Sequence, residues 1–61
     1  MIAKIYSKIG PLYILIKEEE IKNPDDIEKI LEKWGYSDLI EVFDGEELVY
    51  MYTPNEIWFL A

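Results

Sequence analysis

Cysteine, histidine and arginine are all absent from this chain, and each absence closes off chemistry. Without Cys there is no disulfide framework and no thiolate zinc site; without His there is no imidazole ligand and no base to activate a hydroxyl. The hydroxyls such a base would serve are few: Ser7, Ser37 and Thr53 besides the tyrosines. Glycine is scarce too. Gly10, Gly35 and Gly45 stand alone, each where a turn or a helix stop needs one, so there is no Gly-rich phosphate loop. Lack of Arg removes the bidentate fork that reads guanine or grips phosphate.

Positive charge is in short supply generally. Thirteen acidic residues face six lysines, a net charge of −7, which repels phosphate backbones and anionic lipid. No apolar run approaches the ~20 residues of a membrane-spanning helix. Met1 leads into an alternating pattern instead of a signal core, so a cytoplasmic location is expected. Close pairs among 13 carboxylates in 61 residues arise by chance, so they do not single out a glycosidase or a hard-metal site. No catalytic, cofactor-binding or metal residues are expected, and neither direct nucleic-acid binding nor membrane association. The bias to Ile, Lys, Glu and Tyr fits a thermophile proteome or an A+T-rich genome.

Asn23 to Tyr36, NPDDIEKILEKWGY, is the segment with both ends marked. Asn23 is an N-cap, Pro24 suits the first helical position, and Asp26 can reach back to the cap residue as a shortened capping box. Ile27, Ile30, Leu31 and Trp34 fall at i, i+3, i+4 and i+7, an apolar stripe at helical period. Gly35 is expected to take positive φ in a Schellman-type stop, with Tyr36 touching Leu31. The helix spans about residues 24–34. Its stripe is either a lid on the protein's own sheet or a docking face for a partner; the β-prone segments on both sides favour the lid.

Those segments read as strands. Residues 1–9 alternate, with Ala3, Ile5 and Ile9 facing a core while Lys4, Tyr6 and Lys8 face out. Gly10-Pro11 breaks the run. Leu12 to Lys17 is apolar on both sides, which suggests an inner strand covered twice. Glu18, Glu19 and Glu20 read as a solvated connection rather than metal ligands, because adjacent carboxylates on an extended chain point opposite ways. Asp44-Gly45 between apolar runs marks a hairpin with a type I′ turn flanked by Phe43 and Glu46; a longer loop from Asp44 to Glu47 would change the pairing. Residues 57–60, after Thr53-Pro54-Asn55, read as a short last strand or strand-like tail, or as one turn of helix.

The expectation is therefore a single α+β domain over residues 1–61, ordered ββαβ(ββ), with a mostly antiparallel sheet and one helix on one face. That order is similar to β-grasp domains such as the ubiquitin-like modifiers. Modifiers of that family end in Gly-Gly, whereas this chain ends Phe59, Leu60, Ala61, so conjugation or sulfur-carrier chemistry is not expected.

Nine of the residues are aromatic. Alternation away from the helix collects Tyr6, Tyr13, Leu15, Phe43, Tyr50, Tyr52 and Trp58 on the second face of the sheet. Aromatics suit strands whatever they do. They are also enriched at interfaces, and a chain this small gains from covering a second face. The sequence thus points to a non-enzymatic interaction module, a small regulatory or structural protein that forms a homodimer or binds a protein partner through this face and its acidic rim. The alternative is an acidic nucleic-acid mimic inhibiting a DNA- or RNA-handling protein.

Overall fold

The computed structural model describes residues 1–23, 25–53 and 56–59, and the side chains of residues 1–23 and 25–53. In chain order it forms β1 (Ile2–Ile9), β2 (Leu12–Glu20), α1 (Asp26–Trp34), β3 (Leu39–Asp44), β4 (Glu47–Thr53) and β5 (Glu56–Phe59). The strands make one sheet in the order β2-β1-β3-β4-β5, and the four described pairings are all antiparallel. An antiparallel sheet with one short helix makes this a small α+β domain. A β-grasp sheet differs, since its first and last strands run parallel. No helix among the described residues is long and apolar enough to cross a membrane.

The core sits where β1 meets β3. Ala3 opposes Val42 and Ile5 opposes Ile40, and all four are buried. Ile30 of α1 and Ile21 complete the buried cluster, with Met1, Ile27, Leu31, Trp34, Val49, Tyr50 and Tyr52 packed against it. Ile21 extends the β1–β2 ladder by one step: its N–H donates to the Met1 carbonyl at 2.7 Å, and the Met1 ammonium donates to the Ile21 carbonyl at 3.2 Å. That pairing aims the Ile21 side chain inward.

Local chemistry accounts for the helix ends, with corrections. Asn23 is not the N-cap: α1 begins at Asp26 after Asp25, which makes no side-chain cap hydrogen bond, although the Asn23 N–H does donate to the Asp26 carboxylate at 3.3 Å. Pro24 lies outside the described residues. Gly35 does not take positive φ; it sits at φ −63° in the right-handed region. Glycine is needed there because a Cβ would overlap the Leu31 carbonyl oxygen. The stop comes instead from Ser37, whose backbone N–H and hydroxyl both donate to the Trp34 carbonyl, at 2.9 and 2.6 Å. Tyr36 is 77 % exposed and leans on the Trp34 ring, centroids 6.0 Å apart.

Two β-bulges decide which side chains share a face. The β3–β4 turn is centred one residue later than the sequence suggests: Asp44 opposes Glu47, Gly45 has φ 66°, and no non-glycine residue has positive φ. Glycine alone at the first central position is the type II′ pattern. A bulge between Val42 and Phe43 then leaves Val49 unpaired and places Tyr50 opposite Val42 and Tyr52 opposite Ile40. One extra residue flips every later side chain to the other face. The second bulge lies between Ile5 and Tyr6 and leaves Ile16 unpaired. It moves Lys17 and Glu19 to the core side, opposite Ile5 and Ala3, and Glu18 and Glu20 away from it.

The largest correction concerns β2. It is not an inner strand covered twice: it lies at the edge of the sheet, and none of its residues is buried. Ile9 is likewise 61 % exposed, away from the core. β1 uses its two edges for β2 and β3, which leaves β2 outermost, and the core cluster does not reach the tip of the β1–β2 hairpin.

Candidate functional site

The face of the sheet opposite the core is the candidate surface, and strand register lays it out in rows. Tyr13 of β2 lies beside Lys8 of β1. Leu15 lies beside Tyr6, which adjoins Leu39 of β3. The next row runs Glu18, Lys4, Glu41 and Met51, and the last runs Glu20, Ile2, Phe43 and Leu48. Tyr6, Tyr13, Leu15 and Phe43 are thus brought to one face, as alternation indicated. Tyr50 and Tyr52 are not: the bulge at Val49 turns both toward the core, against which they pack. There the Tyr52 hydroxyl donates to the Gly35 carbonyl at 3.2 Å. Trp58 is in register with Met51, but its side chain lies outside the described residues.

Charged groups are woven between the rings. The Lys4 ammonium lies 5.1 Å from the Phe43 ring centroid and 3.9 Å from the Glu18 carboxylate, and the Lys8 ammonium lies 5.7 Å from the Tyr13 ring. Burial, then a hydrogen bond to Glu41 and the negative charges of Glu41 and Glu18, push the Tyr6 hydroxyl up to about 12. Tyr6 therefore stays protonated at any physiological pH. The aromatics are half screened by lysine stems, and the surface mixes apolar area with satisfied polar groups.

At the helix side of the same sheet end, Lys33 donates to the Glu19 carboxylate at 3.1 Å while lying 5.6 Å from the Trp34 ring. That hydrogen bond holds the Glu19 carboxyl below the usual glutamate range, with a further contribution from the Trp34 indole N–H. The indole nitrogen is buried and has no hydrogen bond of good geometry, so Lys33 is the partner that holds Glu19 charged. A cleft beside this pair is lined by Met1, Ile2, Glu18, Glu19, Glu20 and Gly45. Lys33 already engages one of its three carboxylates, and no group of three metal-ligating side chains occurs among the described residues.

No protein-family model, curated protein or solved structure matches the chain. Function is read from the surface itself. Sequence reasoning missed a second exposed apolar group, around the β2 edge and not confined to this face: Ile9, Leu12, Ile14 and Ile16, large aliphatics 44 to 65 % exposed. The available signal was the apolar character of both sides of Leu12–Ile16, which fits a free edge awaiting a partner as well as it fits an inner strand.

Proposed function

We propose that the chain is a non-enzymatic protein–protein interaction module, cytoplasmic, acting through the sheet face that carries Tyr6, Tyr13, Leu15 and Phe43 and through its acidic rim. The reading takes the ββαβ(ββ) order as two layers, with α1 across one face and the other left for a protein, whether a second copy or a different chain. The observation that carries it is a pair of half-exposed apolar patches on one face, Tyr13 and Leu15 beside Tyr6 and Ile2 beside Phe43, with the Glu18–Lys4–Glu41 row between them. Tyrosine and phenylalanine anchors flanked by charged groups are what interfaces use.

Affinity capture from the native host with wild-type and Phe43→Lys baits tests this. Proteins held by the wild type at both low and high salt should be lost from the variant. An identical set on both baits refutes the face as the binding surface. Proteins that leave the wild-type bait as salt rises from ~0.05 to ~0.5 M would point instead to an acidic mimic held by charge.

A further inference from the structure

The exposed edge of β2 carries more information than the face. An edge strand presents unpaired backbone N–H and C=O groups, and folded proteins blunt such edges with charge, proline, bulges or a cover. β2 has nine residues, and over Leu12, Tyr13, Ile14, Leu15 and Ile16 it has neither charge nor proline. All five side chains are 44 to 65 % exposed. The bulge at Ile16 and the charges from Lys17 onward blunt only the second half of the strand.

We infer that this edge pairs with the β2 edge of a second copy, antiparallel about a two-fold axis at Ile14, joining two five-stranded sheets into one of ten. The inference rests on the interaction-module reading, names a second copy as the partner, and moves the contact from the open face to the β2 edge. Charge selects the register. Centred on Ile14, the pairing sets Leu12 opposite the partner's Ile16 and Tyr13 opposite the partner's Leu15, so the five apolar residues of each copy meet only one another. The parity also keeps faces matched, since Tyr13 and Leu15 already share the open face. Glu18 lies four residues from the axis, so its two copies stand roughly 27 Å apart, well beyond the ~8 Å Debye length at physiological salt. Centring on Ile16 would instead set Glu18 opposite Ile14 and Glu20 opposite Leu12, and would halve that separation. A second copy therefore complements the run while keeping two chains of net charge −7 apart where it matters.

Five pairs supply about four to six backbone hydrogen bonds plus side-chain contacts on both faces. That is less than the standard ~800 Å² per partner, so the expected Kd is on the order of 1–100 µM. Sedimentation equilibrium of the whole chain should show a dimer that tightens as salt screens residual repulsion. Ile14 is exposed, so substitution there spares the core. Ile14→Lys and Ile14→Glu should each weaken self-association about tenfold or more by placing like charges opposite. Mixed one to one, they should form a heterodimer at least as tight as the wild type. Tyr36→Lys, exposed and outside the sheet, should leave the dimer unchanged. A wild type that stays monomeric at ~1 mM overturns the edge pairing and leaves the module reading to its own capture test. A dimer abolished by Phe43→Lys and indifferent to Ile14→Lys overturns it in favour of face-to-face association. Charge complementation found at Leu15 or Ile16 instead of Ile14 overturns the register.

Discussion

Replacing Tyr52 tests the point at which the β3–β4 bulge decides the structure. By unbroken alternation from Phe43, Tyr52 would face away from the helix and its loss would be mild. With the bulge it opposes Ile40, packs on the core, and donates its hydroxyl to Gly35 at 3.2 Å. Truncating a fully buried aromatic costs about 3–5 kcal/mol. Tyr52 is half-buried, so about 2 kcal/mol is lost with the ring, and about 1 kcal/mol more with the hydrogen bond. Tyr52→Ala should thus cost about 3 kcal/mol and Tyr52→Phe about 1 kcal/mol. A domain of 61 residues has roughly 3–9 kcal/mol in total. At about 4–8 °C per kcal/mol, Tyr52→Phe should lower Tm by several degrees and Tyr52→Ala should leave the protein marginal at room temperature. Tyr36→Ala is the control, because Tyr36 is 77 % exposed and should shift stability by no more than about 0.5–1 kcal/mol. Urea and thermal melts followed by circular dichroism, at one protein concentration so that association does not enter, give the comparison. If Tyr52→Ala melts alongside Tyr36→Ala, Tyr52 is not on the core face and the bulge is not formed.

Gly35→Ala should destabilise by about 1–3 kcal/mol, because its Cβ would overlap the Leu31 carbonyl oxygen; an unchanged urea midpoint would show the helix end to be looser than described. Glu19 is held charged below its ordinary value near 4.5, so it stabilises the fold above that value and the contribution fades as pH falls through its folded value. Glu19→Gln should accordingly flatten the acid limb of a stability–pH curve, and an unaltered limb would remove the Lys33–Glu19 pair from the account. Tyr6 is raised from 10.0 to about 12, so its contribution is complete below 10 and is lost as pH rises from 10 toward 12. Phenolate absorbance should show one tyrosine titrating last, and Tyr6→Phe should abolish that step; five tyrosines titrating together would refute the Tyr6–Glu41 contact.

Much of this molecule was legible along the chain. Both hairpins, the one helix and its apolar stripe follow from local rules: Gly10 and Gly45 where turns need positive φ, Asp26 reaching back to Asn23, and Ile27, Ile30, Leu31 and Trp34 at helical spacing. These depend on neighbours within a few residues, so sequence order carries them. The gathering of Tyr6, Tyr13, Leu15 and Phe43 on one face also follows from period-two alternation.

What the chain order could not carry is where pairing slips and which strand ends up outside. The bulges at Ile16 and Val49 each insert one residue inside a hairpin whose turn residues do not encode it, and each reverses the faces beyond it; Tyr50 and Tyr52 changed sides for that reason alone. The edge position of β2 arises because β1 is flanked by β2 and β3, and the β1–β3 partners lie 33 to 41 residues apart in the chain. An apolar run reads the same whether it is buried between two layers or left at a margin. Only the tertiary arrangement, which spends the core on Ala3, Ile5, Ile40 and Val42, leaves Leu12–Ile16 as the surface still to be covered.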